Sequence, residues 1–286
     1  MSVTPCDAGV VWLASYPKSG NTWLRILLSG LVVRDGEPAD INALRLPWAS
    51  VVSREKIEDH TLLDTGLLTD EEIDRLRPHV VDPIVGDAAE RCYIKVHDAY
   101  RHVDGGAPLL GDPRGRAAIY IVRDPRDVAV SLSFHLGRSI DAAIAFLNKP
   151  GATLGSRGHR SPTQVPQLLF DWSGHVASWT EQSEVPVHLL RYEDLSADTT
   201  GALRAVAAFL GLDACDRVIA EAVGAADFSK LQRQERKGGF AERPSTATAA
   251  FFRSGRAGGW TEALTPEQNA AIVAAHAPMM ERFGYR

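Results

Sequence analysis

Four short apolar or β-branched runs separated by helical patterns predict an α/β fold, a single domain over 1–286 with a central, mainly parallel β-sheet flanked by helices. The runs are Gly9 to Ser15, Cys92 to His97, Ala117 to Val122 and Pro186 to Tyr192, each of a length suited to a buried strand. Helices are predicted after three of them. Asn21 to Val33 is apolar at helical spacing, Asp124 and Pro125 supply an N-cap and a first-turn proline for a helix through about Leu136, and Asp198 caps a helix that stops at Gly211. Strand alternating with helix calls for crossover connections, hence parallel strands. Thr265, Pro266, Glu267 and Gln268 form a capping-box pattern ahead of a last helix through roughly Phe283. Asn148 to Pro166 and Gln232 to Gly259 are polar, glycine-containing and without period, and are expected to be irregular. Long loops of that kind in a compact domain tend to be lids or mobile segments.

The totals set limits on function. At 286 residues, 45% hydrophobic and 23% charged, the chain has the composition of an ordinary globular protein with a sizeable core. A net charge of −5 argues against a nucleic-acid partner or an anionic membrane surface, so any anion bound here is held by local groups. Cys6, Cys92 and Cys215 are odd in number and scattered, which suggests neither a disulfide framework nor a zinc knuckle and fits a reducing compartment. The first residues lack a positive n-region, and the longest later apolar stretch, Ile26 to Val33, is far short of a membrane span. The expectation is a cytoplasmic chain without integral membrane contact.

The segment Ser15 to Trp23, SYPKSGNTW, joins the first strand to the first helix. A tight turn there gathers unpaired backbone N–H groups and a positive helix end, which makes an anion site. Lys18 adds a full charge, Ser19 and Thr22 add hydroxyl donors, and Gly20 lets the backbone approach an oxygen closely. The ordinary P-loop spacing ending in GK[ST] is absent, so generic ATP binding is not the signal. SYPKSGNTW instead resembles the 5′-phosphosulfate loop of the cytosolic-type sulfotransferases, YPKSGTTW in its usual form, with Asn21 the one departure. The resemblance implies a P-loop-like nucleotide-binding architecture and 3′-phosphoadenosine 5′-phosphosulfate (PAPS) as sulfuryl donor, with 3′-phosphoadenosine 5′-phosphate (PAP) as product. It implies that Lys18 contacts the oxygen bridging phosphorus and sulfur, that Ser19, Gly20, Asn21 and Thr22 line the 5′-phosphate, and that Trp23 stacks on adenine.

A second anion site lies in AIYIVRDPRDVAVSLSFH, where Arg123 ends a strand and Ser131 follows eight residues later on the next helix. A guanidinium suits a bidentate phosphate contact. The segment resembles the family's 3′-phosphate motif, which assigns that phosphate to Arg123 and Ser131; Arg126 and Asp127 are expected to be a surface ion pair. FFRSGRAGGW, Phe251 to Trp260, is similar to the family's RKGxxGDW, with the Arg-to-Trp spacing of seven kept. Arg253 and the backbone of Gly255 would close over the 3′-phosphate, the loop acting as a lid. Ser254 and Gly259 replace the usual Lys and Asp. Arg236, Lys237 and Gly238 have the motif's letters without its tryptophan and are expected to be a decoy. Tyr192 and Phe228 fall where the family has adenine-contacting aromatics.

CYIKVH resembles the family's KTH element, and strand alternation puts Lys95 and His97 on one face. A histidine near neutral pKa is suited to deprotonating a hydroxyl that attacks sulfur. His97 is the expected base and His135, four residues beyond Ser131, its rival; His60 and His159 are expected at the surface. The implied reaction is in-line transfer of a sulfuryl group to a hydroxyl of a small-molecule, lipid or glycan acceptor, with Lys18 and Lys95 stabilising the leaving oxygen and no metal required. Two other readings stay open: a P-loop-like small-molecule kinase, and a non-catalytic binder of PAP. The acceptor is expected to be shaped by loops within Asp35 to Pro78 and Ser139 to Pro166, with Trp48 and the residues around Leu46 as candidate pocket walls. Of the family's dimer motif, KxxxTVxxxE, only Thr265 survives, Thr261, Pro266 and Ala270 replacing its Lys, Val and Glu. The oligomeric state is left open.

Overall fold

The computed structural model describes residues 9–33, 40–44, 46, 50–86, 91–155 and 163–285. Cys6, Trp48 and His159 lie outside the described residues. Four strands, β1 (Val10–Ser15), β2 (Cys92–Val96), β3 (Arg116–Val122) and β6 (Val187–Arg191), form a parallel sheet in the order β2-β1-β3-β6. β1 pairs with β2 in register from Val10 opposite Cys92 to Ala14 opposite Val96. Every residue of β1 and β3 is buried, as expected for inner strands of a parallel sheet covered on both faces. All four strands lie within a residue or two of the sequence expectation.

The chain divides into two compact units. The first comprises Met1–Tyr16, Pro47–Tyr120 and Pro150–His188; the second comprises Pro17–Leu46, Ile121–Lys149 and Leu189–Arg286. β3 and β6 each begin in the first and end in the second.

The first unit carries helices α2 (Arg54–Thr61), α3 (Asp70–Gly86) and α6 (Trp172–Thr180), and a short hairpin of β4 (Thr153–Leu154) and β5 (Gln167–Leu168). Its core holds Trp12, Trp172 and Trp179, all fully buried. Within it Arg77 of α3 makes a bidentate pair with Asp98, Nη1 to Oδ1 at 2.8 Å and Nη2 to Oδ2 at 2.6 Å, and Trp179 Nε1 donates to the Asp98 carbonyl at 3.0 Å. This fixes the turn directly after β2. α2 and the first half of α3 fall in the stretch Asp35 to Pro78, expected to hold loops. Pro78 and Pro83 inside α3 break its helical reading, yet Thr69 and Glu72 close a capping box at its start, Glu72 N donating to Thr69 Oγ1 at 3.2 Å and Thr69 N to Glu72 Oε2 at 2.7 Å.

The second unit carries α1 (Asn21–Val32), α4 (Pro125–Leu136), α5 (Ile140–Leu147), α7 (Tyr192–Ala197), α8 (Thr199–Leu210), α9 (Asp216–Ala225), α10 (Phe228–Gly238), α11 (Trp260–Ala263) and α12 (Pro266–Arg282). The expected caps are present. Asp124 accepts from Arg126 N, Asp198 accepts from Gly201 N, Gly137 and Gly211 end their helices in the left-handed region, and Thr265 with Gln268 completes a capping box. Two expected loops are shorter than predicted: α5 lies inside Ser139 to Pro166, and α10 extends through Gly238. Arg236 and Lys237 occupy the last turn of α10, where cations suit the carbonyl end of a helix. Among the described residues no single helix is long and apolar enough to cross a membrane.

Candidate active site

In the second unit the turn between β1 and α1 carries backbone strain. Lys18 has φ 71° and Gly20 has φ 106°, and a Cβ at Gly20 would lie 2.7 Å from the Tyr192 ring. Gly20 is the N-cap of α1, and no side chain caps the positive end of that helix. Ser19 Oγ is buried and has no hydrogen-bond partner among the described residues. Asn21 and Thr22 are buried at the same helix start. Lys18 Nζ sits 3.8 Å above the Phe251 ring and 3.4 Å from His135 Nδ1. An ammonium only donates, so His135 accepts there.

Arg123 leaves the end of β3 and donates to the carbonyl of Lys18 at 3.3 Å and to that of Arg256 at 3.1 Å. It thereby joins the first anion loop to the glycine-containing loop before α11. Its guanidinium lies 4.1 Å from the centre of the buried Tyr192 ring, and among the described residues its Nε has no partner. Burial first, then the like charge of Arg123, pushes Arg253 below the usual arginine value, with Asp127 pulling upward and Arg256 downward. Arg253 is thus repelled by two neighbouring guanidinium groups, an arrangement whose charge chemistry suits an anion. Ser131 of α4 lines one pocket with Lys18, Phe134, His135, Phe251 and Arg253.

Trp23 donates its indole N–H to the Ala226 carbonyl at 3.1 Å and meets Tyr192 edge-on, ring centres 5.8 Å apart. Phe228 packs on Phe252, and a Cβ at Gly255, where φ is 62°, would lie 2.6 Å from the Phe228 ring. Only glycine fits that position.

One expectation is overturned. Arg126 and Asp127 are not a surface pair: Arg126 bonds Asp124 at 2.7 Å and lies 3.7 Å over the Trp260 ring, while Asp127 is buried. The Asp127 carboxylate accepts the N–H of Gly258 at 2.7 Å and of Trp260 at 2.9 Å, and lies 3.7 Å from Arg123 Nη2. At the loop's other end the buried Glu235 accepts the N–H of Phe251 at 2.7 Å and of Phe252 at 2.9 Å. Two carboxylates therefore tie down the glycine-containing loop. The sequence signal for Asp127 was its place four residues after Arg123, in the first turn of α4.

In the first unit His97 follows β2, half-buried like Lys95. Its Nδ1 lies 2.8 Å from the Ser15 carbonyl and 3.4 Å from Ser15 Oγ. A carbonyl only accepts, and its contact is the shorter, so Nδ1 carries the proton and Nε2 the lone pair. That is the tautomer a base needs when it works through Nε2.

Comparison with known proteins agrees with this geometry. The profile of the sulfotransferase domain family matches residues 117–284. Human sulfotransferase 2B1 is 24% identical over 279 residues, covering 94% of this chain and 66% of its own length, and Arabidopsis thaliana cytosolic sulfotransferase 16 is 26% identical over 276 residues, covering 91% and 72%. The chain thus spans about two thirds of the human relative. Mouse sulfotransferase SULT7A1, complexed with PAP, superposes with a TM-score of 0.59 at 20% identity, covering 98% of this chain and 86% of that one. Retinol dehydratase in a complex with retinol and PAP gives 0.62 at 18% identity, covering 98% and 82%. Fold, site chemistry and family profile converge, and the chain belongs to the PAPS-dependent sulfotransferase family.

Proposed function

We propose that the protein transfers a sulfuryl group from PAPS to a hydroxyl, using His97 as general base. The observation that carries the donor assignment is the gathering of Arg123, Arg253 and Arg256 near a strained helix start that no side chain caps, with Ser19 Oγ and Arg123 Nε lacking partners among the described residues. One phosphate needs one such cluster; a nucleotide phosphorylated at both 3′ and 5′ positions makes use of two. Two of the structural neighbours hold PAP. When bound, PAPS supplies a sulfuryl group activated by a phosphate leaving group.

In this reading Ser19, Gly20, Asn21, Thr22 and the N-terminal amides of α1 hold the 5′-phosphate, while Arg123, Ser131, Arg253 and the backbone of Gly255 hold the 3′-phosphate. Lys18 neutralises the charge that develops on the departing phosphate oxygen, with Lys95 assisting. Trp23, Tyr192 and Phe228 flank the adenine. His97, its proton held on Nδ1 by Ser15, takes the acceptor's proton on Nε2 as the new S–O bond forms and the old one breaks. We read residues 1–286 as one domain, because β3 and β6 each run through both compact units, and the chain as cytoplasmic, which the likeness to Arabidopsis thaliana cytosolic sulfotransferases 16 and 17 supports. Curated relatives include a flavonol 3-sulfotransferase of Flaveria bidentis and a luciferin sulfotransferase of Photinus pyralis, which supports a small-molecule acceptor.

Calorimetric titration with PAP, AMP and ATP tests the donor assignment. Affinity for PAP well above that for AMP is expected; equal affinities would remove the case for a 3′-phosphate site. Incubation with labelled PAPS and a panel of phenols, flavonols and sterols then tests transfer.

A further inference from the structure

The first unit contains a fully buried histidine that the reaction scheme does not use. His175 of α6 lies with its Nδ1 2.8 Å from the Tyr120 hydroxyl and its Nε2 3.0 Å from the main-chain carbonyl of His97. Because a carbonyl only accepts, Nε2 carries the proton. Nδ1 of the neutral ring then accepts from Tyr120, whose hydroxyl is also hydrogen-bonded to the backbone of Tyr16. The edge of Tyr16 meets the His175 ring at 5.4 Å, and the Tyr120 ring lies beside it at 5.7 Å. We infer that His175 is a positioning residue: the chain Tyr120 to His175 to the His97 carbonyl fixes the backbone that aims the His97 ring.

The geometry favours this over a merely filled core. His97 is gripped at both ends, its ring by the Ser15 carbonyl at 2.8 Å and its own carbonyl by His175. Asp98, the next residue, is locked by Arg77 and Trp179. Tyr16 opens the anion loop, so one hydrogen-bonded chain runs from the start of that loop to the base. Solvent does not reach His175, which excludes it as a base in its own right. The titratable groups facing it are Tyr120 from β3, Tyr16 after β1, His97 and Asp98 after β2, with Asp171 at the start of its own helix. Burial in that company pushes His175 down to about 4, so it stays neutral and its two hydrogen-bond roles stay fixed.

The inference rests on His97 being the base, and the test separates the two. The full chain is labelled with 15N-histidine, with and without PAP. In the native protein His97 should show the Nδ1–H tautomer and His175 the Nε2–H tautomer. The side-chain nitrogen of His175→Gln reaches the Nε2 position and can donate to the His97 carbonyl; that of His175→Asn reaches only the Nδ1 position, and this variant loses the bond. The Gln variant should keep the His97 tautomer. The Asn variant should mix tautomers and lose about tenfold in transfer rate at unchanged PAP affinity, a modest share of general-base catalysis. If the Asn variant fails to fold, Tyr120→Phe, which keeps the ring and removes the bond to His175 Nδ1, takes its place and should loosen the His97 tautomer. Identical His97 spectra in all three variants would overturn the relay. An active His97→Ala enzyme would overturn the base assignment and leave the tautomer difference intact.

Discussion

The anion clamp of the second unit and the base segment of the first are assembled from opposite materials. In the clamp, Lys18, Arg123 and Arg253 are cations, Arg253 repelled by Arg123, with strained glycine-rich backbone and buried donors that find no partner among the described residues. Along the hydrogen-bonded series at His97 the links are uncharged, and each step of the Tyr120, His175, His97, Ser15 series is answered by a partner. The difference follows from the ligand each must meet. A phosphate brings its own charge and compensates an unsatisfied site, whereas a base must hold one tautomer before any acceptor arrives.

The largest effect should fall on the neutral side. His97→Ala is expected to lower transfer by roughly 10²- to 10⁴-fold, the span general-base catalysis covers, with PAP affinity unchanged. An assay with labelled PAPS beside calorimetry checks both halves. On the charged side, Arg123→Ala should weaken PAP by about 10- to 100-fold, since hydrogen bonds to charged groups contribute about 1.5–3 kcal/mol. AMP affinity should change far less; equal losses for the two nucleotides would mean that Arg123 does not read the 3′-phosphate.

Asp127→Asn tests whether the loop is held by charge or by shape. An amide can accept only through its oxygen, so one of the bonds to Gly258 N and Trp260 N weakens, and PAP affinity should fall by roughly fivefold, or about 1 kcal/mol. An increase in affinity would show that the carboxylate acts mainly by opposing the phosphate's charge.

On stability rather than on turnover, the neutral side predicts a pH dependence. His175 titrates at about 4 in the fold and at 6.5 unfolded, so below neutrality the unfolded chain binds the extra proton. Its contribution is complete above about pH 6.5 and is lost as pH falls toward 4, on the order of 3 kcal/mol in all. Urea unfolding of the native chain and of His175→Gln at a series of pH values should show a shallower acid slope in the variant.

The clamp was more legible in the sequence than the base environment. Lys18, Ser19, Gly20 and Thr22 lie in one short motif, and a glycine, a lysine and hydroxyls at a strand-to-helix turn already imply an anion. Arg123 and Ser131 share one strand and its following helix. Asp127 was misread because a carboxylate beside an arginine looks like a surface pair until the loop that it binds, more than 100 residues later, is in place. His175 gave no signal, since a histidine on an apolar helix face reads as core and its partners Tyr120 and His97 are 55 and 78 residues away.

By itself the sequence determined the four strands, the helix starts at Asp124, Asp198 and Thr265, and the family likeness, because alternation, capping and turn chemistry act within a few residues and leave a pattern in the string. Tertiary structure decided α3, whose two prolines contradict its local pattern, and the tethering of the Phe251 to Trp260 loop by Glu235 and Asp127. It also decided the protonated nitrogen of His97. A tautomer is set by whichever acceptor a ring nitrogen meets, and Ser15 is 82 residues away in the chain. Only the pairing of β1 with β2 brings it there.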